Sequence, residues 1–434
     1  MLNDKLRKLE RYPYHMPGHK RNKKFDIVGS EIDITEITGF DDLHNPKQDI
    51  AALQNEIAKV WGYEKSLISV NGSTCCILAA IFAVCKSGDK ILIARNCHKS
   101  VYNACFLNKL KAEYIEPEFD SEFGVYKNIT QKSVDGAVEN NPDAKALVIT
   151  SPTYEGFVSN IQCDLPIIVD SAHGSHFGFT KWLPKKAQGD IVIQSFHKTL
   201  PSLTQTAVIH INNSLYEKSV KKYMDMFETS SPSYILMASI EKCCEYMKNG
   251  LNDFEKYKNI LDKFYKEAKS ISGLKILKND DITRIVISFD GYSGTELGEI
   301  LINHGIEPEG TTLNYVILIS TIADTEKGFN KLINALKCIE PKNEKKCKFI
   351  KMPVLPKKKC EAYEITETKA VALNDSVGKC CAETVYAYPP ATPIITAGEI
   401  ISSDTLDYIN QCLKCSVNII DTENLLPDSI LTKA

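Results

Sequence analysis

The segment QSFHKTLPSLTQ (194–205) concentrates groups able to do chemistry, because Ser195, His197 and Lys198 directly follow the apolar run DIVIQS. An amine at the carboxyl end of a strand overlooks the edge where open α/β sheets bind ligands. Asp170, 28 positions upstream, ends a second apolar run, PIIVD. Two adjacent parallel strands would then present an acid and an amine to one crevice. Pyridoxal phosphate needs that pairing: a lysine holds its aldehyde covalently, and an acid keeps the pyridine nitrogen protonated so that the ring accepts electrons. The cofactor's phosphate also needs a cradle. Ser73 and Thr74 in NGST (71–74) follow the run SLISV and open a helix, offering hydroxyls, backbone N–H groups and the positive helix end. Ser195 can add another hydroxyl. His98, just after the run KILIA, is placed to give the ring a face to stack on.

These residues need a sheet to hold them. Short continuous apolar runs stand at 66–70, 90–94, 146–150, 166–170, 190–195 and 206–211. Continuous rather than alternating runs fit a parallel sheet buried on both faces. Between them lie helical stretches, notably TCCILAAIFAVCKSG, in which Ser73 or Thr74 can cap the start and Gly88 the end. The expected organisation is an N-terminal segment (1–44), an α/β cofactor-binding large domain (45–235) and a smaller α/β domain (236–340). A Lys-dense solvated linker (341–359) and a C-terminal domain (360–434) containing YAYPPATP would complete it. In the smaller domain a long helical region from Ile235 to Ser270 leads into the strand TRIVISF, a helix over GTELGEILINHG, the strand YVILIS and a helix over TEKGFNKLINALKCI.

Composition narrows the partners. With 52 Lys and Arg against 55 Asp and Glu, net charge −3, no basic footprint for nucleic acid exists. The longest apolar run, Cys75 to Cys85, is too short to span a bilayer. The charged start MLNDKLRKLERYPYHMPGHK lacks a secretory signal's apolar core, so the expected location is the cytoplasm. The 15 cysteines read mostly as buried thiols in a reducing compartment. One C-x-x-C, Cys412 to Cys415, has no second pair or nearby histidine to complete a tetrahedral set, so no metal is expected.

HMPGHK (15–20), TGFDDLHNP (38–46), VNGSTCCI (70–77), ARNCHKSVYNA (94–104), TSPTYEG (150–156), VDSAHGSHFGF (169–179), QSFHKTLPSLTQ (194–205), TSSPSYILMAS (229–239) and AYPPATPIITAGE (387–399) together resemble the prokaryotic ornithine/lysine/arginine decarboxylases. The resemblance implies a fold-type-I pyridoxal-phosphate enzyme that decarboxylates a basic amino acid to a polyamine precursor, acting as a homodimer or dimer-based oligomer with shared sites. It implies Lys198 as the cofactor-bearing lysine, Asp170 as partner of the pyridine nitrogen, His98 as the stacking residue, and Ser73, Thr74 and Ser195 as phosphate contacts. His173 falls at an aromatic or imidazole position near the cofactor, His197 at a further site position, and Ser231 where the neighbouring subunit reaches the phosphate. Lys198 or His197 is then the candidate acid returning a proton to the substrate. Glu155 and Glu383 are candidates for the substrate's distal cation, and arginine is favoured over lysine or ornithine by analogy with the short members. Ser171 stands where many members carry Glu, and Ala391 replaces the glycine of a P-P-G-x-P turn. Neither departure removes a cofactor contact.

Two competitors share these residues. An aminotransferase of the same fold clamps its substrate's carboxylate with an arginine; Arg284 in TRIVISF lies where such a clamp is expected, or is a surface charge on a strand. A catalytically silent binding or assembly subunit would have no need of Lys198 and Asp170. No G-x-G-x-x-G follows the first strand, which argues against a dinucleotide-binding protein.

Overall fold

The structure, a computed structural model, describes residues 1–342, 354–388 and 392–434. Most of the Lys-dense stretch (343–353) and Ala391 in YAYPPATP lie outside the described residues. Seven strands are numbered in chain order: β1 (Lys65–Ser69), β2 (Lys90–Ala94), β3 (Lys111–Ile115), β4 (Ala144–Thr150), β5 (Ile167–Asp170), β6 (Ile191–Ser195) and β7 (Ala207–Ile211). Each apolar run read from the sequence forms one of them, within two residues at either end. The chain divides into two compact units, Met1–Val84 with Pro166–Phe254, and Cys85–Leu165 with Glu255–Ala434.

In the first unit the strands lie in the order β1, β7, β6, β5. β5 and β6 are parallel and every residue in both is buried, as the continuous runs require. β7 departs from an all-parallel arrangement, running antiparallel to both β6 and β1. The connection between β6 and β7 holds only the four-residue helix Phe196–Thr199. A parallel return usually needs a crossover helix, and residues 196–206 carry none beyond this single turn, so the chain comes back antiparallel. The helix after β1 spans Gly72–Val84. It begins at Gly72, whose φ of +75° suits glycine, so Ser73 and Thr74 lie in its first turn rather than ahead of it. It ends short of Gly88, whose N–H instead donates to the Lys109 carbonyl.

A second helix, Asp49–Trp61, is fixed at its start by Asp41. The Asp41 carboxylate accepts the N–H groups of Lys47, Gln48 and Ile50 at 2.8, 2.8 and 3.0 Å. At its far end Trp61 stacks on Phe196 with ring centroids 4.5 Å apart and meets Phe179 edge-on at 5.3 Å. Its indole N–H donates to the Ser175 carbonyl at 2.8 Å. The helical region read as continuous from Ile235 to Ser270 is two helices, Tyr234–Asn249 and Leu251–Ala268, separated by Gly250. Glycine ends helices readily.

In the second unit β2 lies between β3 and β4 and is parallel to both. A four-stranded antiparallel sheet contains Leu274–Ile276, Arg284–Phe289, Val316–Ile319 and Gly310–Thr311 in that spatial order. The helices Gly294–Asn303 and Glu326–Lys337 match the helices expected over GTELGEILINHG and TEKGFNKLINALKCI. Toward the C-terminus, Thr368–Ala372 pairs with Ser429–Lys433, and Val385–Ala387 lies between Thr392–Ile395 and Ile419–Ile420. Among the described residues thirteen cysteines are free thiols, ten of them buried, and Cys415 is disulfide-bonded. Among the described residues no helix is long and apolar enough to cross a membrane, and no cluster of three or more His, Cys, Asp or Glu could hold a metal ion.

Candidate active site

The carboxyl ends of β5 and β6 assemble the centre of the first unit. Asp170 closes β5 and is 4% exposed. Beyond it, residues 171–175 are tied to β6: the Ser171 N–H donates to the Ile193 carbonyl at 2.8 Å and the Ser175 hydroxyl to the Ser195 carbonyl at 2.9 Å. This fixes the loop that carries His173. Lys198 sits in the short helix after β6, and its Nζ lies 3.0 Å from His173 Nε2. Phe196, two positions before the lysine, is fully buried under Trp61, so packing locks the helix that aims the amine.

Electrostatics follow from burial. Removal from water pushes the Asp170 carboxyl up, against the Lys198 charge and the Ala172 N–H, which pull it down. The Ala172 N–H donates to Asp170 Oδ1 at 3.1 Å. His197 is half-buried, and its Nδ1 lies 2.9 Å from the Thr206 carbonyl, so Nδ1 carries a proton there. Desolvation pushes its pKa down, the Thr206 carbonyl opposes this, and the Lys198 charge adds to it. Both effects of burial and charge favour a neutral imidazole.

Ser195 ends β6, is fully buried, and its Oγ has no hydrogen-bond partner among the described residues. Ser73 and Thr74 occupy the first turn of Gly72–Val84, Ser73 half-buried and Thr74 exposed. Ser231 is exposed, and its N–H donates to the Thr229 hydroxyl at 3.3 Å. Lys198, Asp170, His173, His197 and Ser195 are thus brought to one end of β5 and β6.

The other expected residues belong to the second unit. His98 follows β2 and caps the helix Lys99–Leu107, its Nδ1 accepting the Ser100 N–H at 3.2 Å. Glu155 lies in the TYEG turn after β4, fully buried, with Oε1 accepting the Tyr315 hydroxyl at 2.7 Å. Burial pushes its pKa up, and hydrogen bonds from Tyr315 and others pull it down. Gly156 has a φ of +93°, and a side chain there would press against Arg284 Cβ and Cγ at 3.1 Å, so the turn needs glycine. Arg284 is fully buried rather than a surface charge, because its strand lies between two others in the antiparallel sheet. Glu383 is buried near the C-terminus, with Oε2 and Oε1 accepting the N–H groups of Thr422 and Leu431, both at 2.7 Å. Trp61 is a further residue that supports the site. As one of only two tryptophans it was visible, but nothing in the chain links it to Phe196.

The residues present suit pyridoxal phosphate. A buried carboxyl, an amine with an imidazole at hydrogen-bond distance, and an unpartnered buried hydroxyl form the donor set that the cofactor's ring nitrogen, aldehyde and phosphate require. Comparison with known proteins points the same way. The family described as Orn/Lys/Arg decarboxylase, major domain, matches residues 5–288, and its C-terminal domain matches 340–418. An arginine decarboxylase of Bacillus anthracis is 31% identical over 95% of this chain and 92% of its own length. Among solved structures, the lysine decarboxylase of Francisella novicida superposes with a TM-score of 0.86 at 18% identity, over 99% of this chain and 80% of that one. The constitutive lysine decarboxylase of Escherichia coli gives 0.85 at 19% identity, over 100% and 82%. Family membership indicates pyridoxal phosphate as the cofactor. The chain belongs to the Orn/Lys/Arg decarboxylase family and is a pyridoxal-phosphate-dependent decarboxylase of basic amino acids.

Proposed function

We propose that the substrate is arginine, converted to agmatine and CO₂, with lysine and ornithine as the weaker alternatives. The observation that carries the choice is the similarity along nearly the whole chain to arginine decarboxylases, against a match over 54% of this chain with the Escherichia coli constitutive lysine decarboxylase. When bound, pyridoxal phosphate supplies an electron sink for the charge left on the α carbon as CO₂ departs.

The chain's own residues would do the rest. Lys198 offers the amine that bears the cofactor, and Asp170 faces the ring nitrogen with a carboxylate held in a dry, charge-sensitive setting. Ser73, Thr74 and Ser195 would hold the phosphate, Ser231 of a second copy of the chain would add to them, and His98 would stack on the ring. His173 accepts a hydrogen bond from the protonated Lys198 amine through Nε2, giving the amine a partner with which to exchange a proton. Lys198 then returns a proton to the α carbon, and His197, held neutral and committed through Nδ1 to Thr206, orients the turn. The acidic partner of the substrate's guanidinium is Glu155, because both oxygens of Glu383 already accept backbone N–H groups. A buried carboxyl is recharged by an arriving cation, which favours a basic side chain over a neutral one. The enzyme would work as a homodimer or dimer-based oligomer in the cytoplasm, feeding polyamine synthesis.

Incubating the holoenzyme separately with arginine, lysine and ornithine, and measuring CO₂ and the amine formed, tests the proposal. Agmatine should form with the highest kcat/KM. Faster release of cadaverine or putrescine would replace the substrate assignment.

A further inference from the structure

His98 is held from the far end of the chain. Arg95 directly follows β2, three positions before His98, and is 2% exposed; Glu399 is fully buried. Arg95 Nη2 donates to Glu399 Oε2 at 3.0 Å, and Nη1 donates to the Tyr102 hydroxyl at 2.9 Å. That hydroxyl in turn donates to the Arg95 carbonyl at 2.7 Å. The guanidinium lies over the Tyr102 and Tyr114 rings, 5.7 and 5.2 Å from their centroids. Glu399 Oε2 also accepts the Thr396 N–H at 2.8 Å.

Stability alone does not account for this arrangement. Burying an ion pair costs desolvation of both charges, and an apolar pair of similar volume often serves a fold as well. What the pair adds is a fixed place. The Arg95 N–H donates to the Ile115 carbonyl at 2.9 Å, and the Cys97 N–H closes a tight turn onto the Ala94 carbonyl at 3.0 Å. Only Asn96 and Cys97 separate this anchor from His98, whose ring is set by capping the next helix through Ser100. Movement at Arg95 is therefore passed to the imidazole with little slack.

We infer that Arg95 and Glu399 are positioning residues that fix His98 for stacking on the cofactor ring, so that the C-terminal region governs cofactor geometry through one buried ion pair. The inference rests on the reading of His98 as the stacking residue.

The test titrates apo-protein with pyridoxal phosphate, following visible circular dichroism of the bound chromophore, for wild type, Glu399→Gln, Tyr102→Phe, His98→Ala and the His98→Ala/Tyr102→Phe and His98→Ala/Glu399→Gln doubles. Misplacing a site group by an ångström can cost far more than its contact energy, so Glu399→Gln should raise the cofactor dissociation constant about tenfold and reduce the visible band, with far-ultraviolet dichroism unchanged. Each double variant should bind no more weakly than His98→Ala alone. Additive losses would overturn the inference, because the pair would then act elsewhere. Should Glu399→Gln fail to fold, Tyr102→Phe and its double decide by the same comparison. If His98→Ala binds the cofactor as wild type does, the stacking role fails and the inference with it. If His98→Ala is impaired while Glu399→Gln and Tyr102→Phe are normal, only the inference fails.

Discussion

The amine of Lys198 and Nε2 of His173 stand 3.0 Å apart, although the two residues belong to different connections, one after β6 and one after β5. A proton exchanged within this pair would be felt in turnover rather than in substrate affinity. His173→Asn should lower kcat about 100-fold, leave KM within a few-fold, and remove one limb of the pH–rate profile. Steady-state kinetics across pH would check this, and a wild-type profile in the variant would eliminate His173 as a proton partner.

Asp170 is set apart by burial. Asp170→Asn keeps its shape and its place at the end of β5 but cannot carry charge, so it should depress kcat about 1,000-fold while cofactor affinity falls much less. Rapid-reaction kinetics with equilibrium cofactor titration separate the two effects, and equal losses in both would remove the electrostatic role.

Glu155 is the acid proposed for the distal cation. Glu155→Gln should raise KM for arginine about tenfold or more with kcat changed far less, because the reacting bonds lie at the other end of the substrate. Initial rates over a range of arginine concentrations decide the matter; an unchanged KM would move the cation's partner elsewhere.

His210 gives a pH signature of stability. It is fully buried, stacked on Tyr63 at 4.1 Å, and its nitrogens lie 2.7 Å from the Ser66 hydroxyl and 3.1 Å from Gln194 Oε1. Burial first, and the Lys186 charge second, push its pKa down to about 3. The unfolded chain takes up a proton as pH falls through about 6.5 and the folded chain does not. The stabilisation is therefore whole above that pH and drains away below it. Between pH 7 and pH 5 the loss should be about 2 kcal/mol, read by urea unfolding, and His210→Gln should abolish most of that slope.

Trp61→Ala should cost about 3–5 kcal/mol and slow turnover further, since Phe196 loses the ring that holds the Lys198 helix. Thermal melting beside kcat measures both, and full activity at a lowered melting temperature would show that Trp61 serves the fold alone.

Much of this was legible in the chain. β2, β5 and β6 announce themselves as continuous apolar runs, and Asp170 and Lys198 are visible because the first ends such a run and the second follows one closely. The direction of β7 was not, since TAVIHI reads the same either way and what decides is that the connection before it carries no crossover helix beyond Phe196–Thr199. The contact of Lys198 with His173 needed the hydrogen bonds from Ser171 and Ser175 to β6, which no spacing encodes. Arg95 and Glu399 lie 304 positions apart, and Trp61 meets Phe196 only after the helix Asp49–Trp61 has docked. Such pairs depend on tertiary packing, to which periodicity is blind.

Because β6 returns into its antiparallel neighbour β7 through residues 196–206, the lysine's mount closes a loop that is local in sequence before its strands can register. This neighbourhood can therefore organise early, while Arg95 waits for Glu399, 304 positions further along the chain, to emerge from the ribosome. A nascent chain would have Lys198 in its place well before Arg95 met its acid.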